Sequence, residues 1–159
     1  MANPGFLAEL SRKGKLEMVE PSEEIKNSYI KKSGSYLESA RILLERGKLE
    51  EAVSMAYYSM YHMLTALLFR TGIKCENHSA SIILLKEIFG LDNSGISKIK
   101  YERVDKEYYV DFQITKDELC KIIGRAEEFN SDMSDYISRL NSGKIRMFRI
   151  RMEGLLKEE

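Results

Sequence analysis

Glu51 to Gly72 reads EAVSMAYYSMYHMLTALLFRTG, and this stretch decides the fold. Between Ala52 and Phe69 there is no Asp, Glu, Lys or Arg, and Val53, Met55, Ala56, Tyr57, Met60, Tyr61, Leu64, Leu67 and Leu68 leave almost no polar stripe. A helix apolar nearly all round has to be covered by other helices. Its length comes close to the ~18 residues that raise the question of a membrane span. Ser54, Ser59, His62, Thr65 and the tyrosines argue against one, because each polar group would need a partner inside lipid. The stretch reads as the central helix of a soluble bundle.

Upstream, Pro21-Ser22-Glu23-Glu24 predicts a helix start, with acids favoured in the first turn by the helix dipole. Ile25, Tyr29, Tyr36, Ala40 and Leu43 follow at helical spacing, and Gly47 supplies the stop. So few residues join this helix to the central one that the two must run antiparallel. Downstream, Thr71 to Asn77 predicts a loop, with Asn77 as the N-cap of a helix carrying Ile82, Ile83, Leu85 and Ile88 up to Gly90. A less apolar helix starts near Ile96 and runs into Tyr101 to Tyr108. Tyr109 to Ile114 alternates weakly but has no second strand to pair with, and reads as loop. Thr115-Lys-Asp-Glu118 is a capping box. Behind it Leu119, Ile122, Ala126, Phe129, Met133, Tyr136 and Leu140 form a seam that wants a helical partner along its whole length.

The expectation is an all-α, up-and-down bundle of four or five helices at 22–140. An arm at 1–21, with room for one short helix around Phe6 to Leu10, precedes it. A tail at 141–159 follows, alternating basic and apolar residues; interaction tail and further helix both stand open. A homodimer is expected, since the central helix tolerates little exposure and the seam is longer than a short isolated helix needs.

Lys plus Arg equals Asp plus Glu, 25 each, so any contact with nucleic acid must come from a local patch rather than from global attraction. Cys75 and Cys120 show neither CxxC nor zinc-like spacing, and the N-terminus lacks a sustained apolar run. A reduced, cytoplasmic setting without a secretory signal is the expectation. No HExxH, no His or Cys pair and no glycine-rich phosphate loop is visible, so neither a metal nor a cofactor is expected.

Two histidines are available. His62 lies mid-helix among Tyr58, Tyr61 and Leu64 and is expected to be a hydrogen-bonded structural residue. His78 stands beside Asn77 at a helix start, where free backbone amides bind anions. A phosphate site at Asn77 and His78 and a plain helix start are both open on local grounds. Arg103 and Tyr108, in YERVDKEYY, form the second candidate; an ion pair of Arg103 with Glu107 accounts for the arginine on local grounds alone.

AVSMAYYSMYHMLTALL at 52–68, NHSASI at 77–82 and RVDKEY at 103–108, in that order, resemble the HEPN domain family, and its small stand-alone prokaryotic members most. The resemblance covers roughly Ser22 to Leu140. It implies a helical bundle that dimerises and brings two polar motifs into one cleft. It further implies a metal-independent ribonuclease, often a toxin, encoded beside a minimal nucleotidyltransferase acting as antitoxin, with RNA or a nucleotide as ligand. The alternative within the resemblance is a non-catalytic module that dimerises and docks the nucleotidyltransferase. The family motif is Arg, four to six residues, then His, with guanidinium on the phosphate and imidazole moving the ribose hydroxyl proton. Here Tyr108, Tyr109 and Val110 stand where the histidine belongs, and the Arg-x4-Tyr form of this branch maps onto Arg103 and Tyr108. Tyrosine is a poor base near neutral pH. His78 enters the catalytic set only if folding carries it to Arg103.

Overall fold

The computed structural model describes residues 4–105 and 113–157, the side chains of Pro4 and Arg103 excepted. Seven α-helices and one short strand pair make up the described fold: α1 Pro4–Arg12, β1 Leu16–Met18, α2 Glu23–Glu45, α3 Leu49–Arg70, β2 Ile73–Cys75, α4 His78–Glu87, α5 Ser94–Ile99, α6 Lys116–Ser138 and α7 Ser142–Lys157. The architecture is the all-α bundle that the helical spacings predict.

The central stretch is α3, and it is covered as its composition requires. Ala52, Val53, Ala56, Leu64, Ala66 and Leu67 have no exposed surface. α2 packs antiparallel along it, and α6 lies across α3 while also touching α2. The chain reverses between α2 and α3 at Gly47, whose φ of 73° a side chain would strain. The helix starts follow from local chemistry. Ser22, Asn77 and Thr115 each accept a backbone N–H three residues on, from Ile25, Ala80 and Glu118. The α6 seam finds its partner inside the same chain: Leu119, Ile122, Ala126 and Met133 are buried, with Phe129 and Tyr136 packed at the edge of the core.

Two buried polar links cross the bundle. Ser33 Oγ donates to the Ser59 carbonyl at 2.7 Å, joining α2 to α3. Asn130 Nδ2 donates to Ser59 Oγ at 2.6 Å, joining α6 to the same point.

The loop expected over Thr71 to Asn77 is corrected, because Ile73–Cys75 pairs antiparallel with Leu16–Met18. Three residues are too few for alternation to show, and the partner strand lies far upstream. α1 and β1 are folded onto the bundle, with Leu7 and Leu16 buried. Residues 142–157 form a helix, so the tail's open alternative resolves. Ile145, Phe148 and Met152 of α7 enter the core. Arg149 Nη1 donates to the carbonyls of Val19, Thr71 and Gly72, at 2.8, 3.0 and 3.0 Å. One guanidinium thereby locks α7, the β1 end and the α3–β2 turn together.

Candidate functional site

The three tyrosines and the one histidine of α3 sit at 57, 58, 61 and 62, an i, i+1, i+4, i+5 pattern that puts all four rings on adjoining faces of one helix. His78, the first residue of α4, is laid against them. Its ring stacks on Tyr61 with centroids 3.7 Å apart and planes 13° from parallel. Its Nδ1 lies 3.0 Å from the Tyr57 hydroxyl. Tyr58 meets it edge-on at 5.9 Å. Asn77 starts the helix that presents His78, and the Asn77 side-chain oxygen is taken up by the Ala80 N–H at 2.9 Å.

Burial pushes the His78 pKa down; Lys100 pushes the same way, while Asp105 opposes. The imidazole is therefore neutral at pH 7. Burial, then the neighbouring Tyr61 and Tyr58, raise the Tyr57 pKa strongly, so its phenol stays protonated. Burial also raises Tyr61, against the help of Ser81, whose hydroxyl lies 3.4 Å from the phenol. Either proton arrangement fits the Tyr57–His78 pair. With Nδ1–H donating to the Tyr57 oxygen, Nε2 is left as a base.

Lys100 and Asp105 belong to the end of α5, where five residues, Lys100–Val104, form a π-helical turn. Such turns are frequent at functional sites. Lys100 Nζ reaches the Asp105 carboxylate at 3.1 and 3.3 Å. Next to His78, Ser79, Ile83, Ser97, Lys100, Tyr101 and Asp105 take part in lining a cavity of about 210 Å³. The backbone of Arg103 lies in this turn, so folding brings the arginine's segment to the end of the molecule that carries His78. Tyr108 and the expected Arg103–Glu107 pair involve positions outside the described side chains.

His62 departs from expectation. It is buried, but neither ring nitrogen has a hydrogen-bond partner among the described residues. Burial first, then Lys32 and His78, hold its pKa down to about 4. The reason is its company: the faces around it are the rings of Tyr29, Tyr36 and Tyr58, not amides or carboxylates.

The HEPN domain family matches residues 27–136. The chain belongs to the HEPN family. The matched span takes in most of α2, then α3, α4, the π-helical turn and nearly all of α6, so both His78 and Arg103 fall inside the HEPN domain. Relatives are UPF0332 proteins of archaea. One from Pyrococcus horikoshii is 42% identical over 83 residues, covering 51% of this chain and 55% of its own length. One from Archaeoglobus fulgidus is 30% identical over 106 residues, covering 63% of this chain and 85% of its own length. The HEPN chain thus spans little more than half of the Pyrococcus protein.

Among the described residues no helix is long and apolar enough to cross a membrane, and no three His, Cys, Asp or Glu side chains gather as metal ligands. Sequence reasoning singled out His78 and Arg103 but not Tyr57, Tyr61, Lys100 or Asp105, which the fold sets near His78. The 57/61 spacing was visible, yet it is also the spacing of an ordinary core stripe.

Proposed function

We propose that this protein is a metal-independent ribonuclease of the HEPN toxin type, acting on RNA where His78 meets the Lys100–Val104 turn. The observation that carries the reading is His78 itself. It is a neutral imidazole, held by the Tyr57 hydroxyl and the Tyr61 ring, within electrostatic reach of the Lys100–Asp105 pair and followed by Ser79 at the edge of a small cavity. Neutral Nε2 takes the proton of a ribose 2′-hydroxyl; the oxygen attacks the adjacent phosphorus as the bond to the 5′-oxygen breaks, giving a 2′,3′-cyclic phosphate, and the departing 5′-oxygen takes a proton from solvent water while the imidazolium returns its own to solvent. Arg103 and Lys100 are assigned the phosphate charge that grows in the transition state. Tyr108 is assigned a supporting hydroxyl. Family membership supports the further parts of the reading, a homodimer and a minimal nucleotidyltransferase as antitoxin partner.

The test is cleavage of single-stranded RNA in EDTA, which silences metal-dependent contaminants. His78→Ala and Arg103→Ala should each slow cleavage by about 100-fold or more, the usual range for a lost proton-transfer group or phosphate clamp. The acid limb of the parent's rate profile should lie below that of an ordinary histidine, because burial and Lys100 lower the His78 pKa. Variants that cleave like the parent would sink the assignment.

A further inference from the structure

Tyr101 takes part in lining the cavity of about 210 Å³ beside the π-helical turn, and at 70% exposure it stands on the open side. Tyr29, Tyr36, Tyr57, Tyr58 and Tyr61 each pack on other rings; Tyr101 has no ring partner among the described residues. Its stacking surface is therefore free. Ile83 adds an apolar wall. Ser79 and Ser97 also line the cavity, and their hydroxyls have no hydrogen-bond partner among the described residues. A hydroxyl donates or accepts as its neighbour requires. Lys100 contributes a cation, its ammonium held 3.1 Å from the Asp105 carboxylate. A free ring, an apolar wall, two-way hydrogen-bonding groups and a cation are what an unpaired base and its phosphate bind. Size narrows the choice of base. A cavity of ~150 Å³ holds benzene, or ~25 Å³ per ring atom. On that scale a pyrimidine base needs ~200 Å³ and a purine ~250–275 Å³. The volume here matches the pyrimidine.

We propose that this cavity is a base site for one unpaired pyrimidine of an RNA strand, with Tyr101 as its stacking platform. The base lies between the Tyr101 ring and Ile83, and its polar edge meets the Ser79 and Ser97 hydroxyls. Because those hydroxyls serve as donor or acceptor, the site takes uracil and cytosine alike and selects the class by size. Ser79 follows His78 directly, so a pyrimidine seated here turns its own ribose toward the imidazole. Cleavage then falls on the 3′ side of pyrimidines. That placement of the ribose rests on the ribonuclease reading; the base site does not.

The test compares hexauridylate, hexaadenylate and an abasic hexamer with the same sugar-phosphate backbone. Binding is measured in His78→Ala protein, so that the probes survive. Hexauridylate should bind at least about tenfold more tightly than the abasic hexamer. It should also bind more tightly than hexaadenylate, the reverse of what stacking on an open ring alone would give. Adding Tyr101→Ala should remove most of the advantage over the abasic hexamer, and Tyr101→Phe, which restores a ring, should recover it. The ring ¹H resonances of Tyr101 should shift with hexauridylate and stay still with the abasic hexamer. This readout decides even if Tyr101→Ala fails to fold. Equal binding of hexauridylate and the abasic hexamer, or an unmoved Tyr101 ring, overturns the base site. Hexaadenylate binding as tightly as hexauridylate overturns the pyrimidine assignment. Uridine monophosphate binding as tightly as hexauridylate overturns RNA as the source and gives the site to free nucleotide. Cleavage by the parent at purines and pyrimidines alike sinks the pyrimidine site alone; uridylate preference in binding without cleavage by the parent sinks the ribonuclease reading alone.

Discussion

Acidifying this protein should reveal His62 as a buried base that resists its proton. In the unfolded chain a histidine titrates near 6.5, whereas in the fold burial, Lys32 and His78 hold His62 at about 4. Above pH 6.5 both states are neutral, and the residue contributes nothing to pH dependence. As pH falls below 6.5 the unfolded state takes up a proton that the folded state refuses, so stability drops until pH approaches 4. At about 1.4 kcal/mol per pH unit the whole gap is worth about 3 kcal/mol, of which about 2 kcal/mol is lost by pH 5. The size is of the right order because the imidazole is nearly sealed from water and screening is weak. Other groups titrate over the same range, His78 with the same sign. The informative quantity is therefore the difference between the parent and His62→Leu. Urea unfolding of both at pH 7.5, 6 and 5 gives it directly. The parent should lose about 2 kcal/mol more than the variant on going from pH 7.5 to 5. At pH 7.5 the variant should be at least as stable as the parent, since two unpaired nitrogens are gone. Parallel loss in the two proteins would refute the reasoning.

Two further outcomes are open to the same urea assay. Gly72→Ala should cost at least ~2 kcal/mol. It forces a side chain to a φ of 77° and drives its Cβ into the Arg149 guanidinium and the Val19 carbonyl; Gly47→Ala, with open space around it, should cost only ~1 kcal/mol. Ser59→Ala should cost ~1–3 kcal/mol by stranding the buried Asn130 amide, and adding Asn130→Leu should recover part of that loss. Equal costs at the two glycines, or strictly additive losses at 59 and 130, would contradict the contacts described.

What the sequence by itself determined is whatever a helix decides locally. An uncharged run of one helix length fixes α3 as the covered element, and the Ser22, Asn77 and Thr115 caps mark helix starts because each acts on an amide three residues away. The glycines at 47 and 72 mark chain reversals through their positive φ. The order of motifs was enough for the family. Tertiary structure alone decided what depends on residues distant in sequence. Ile73–Cys75 becomes a strand only because Leu16–Met18 is delivered beside it. Residues 142–157, ambiguous as text, are held in place by Phe148 against Phe89 and by Arg149 on three carbonyls, none of them near in sequence. The site is the clearest case. His78 becomes a neutral, oriented imidazole because α4 buries it against Tyr61 and Tyr57 and the turn after α5 brings Lys100 near. His62 loses its expected partners because packing surrounds it with rings. Helical spacing states which residues share a face; what that face meets, and hence burial, pairing and proton affinity, is set by the packing of the other helices.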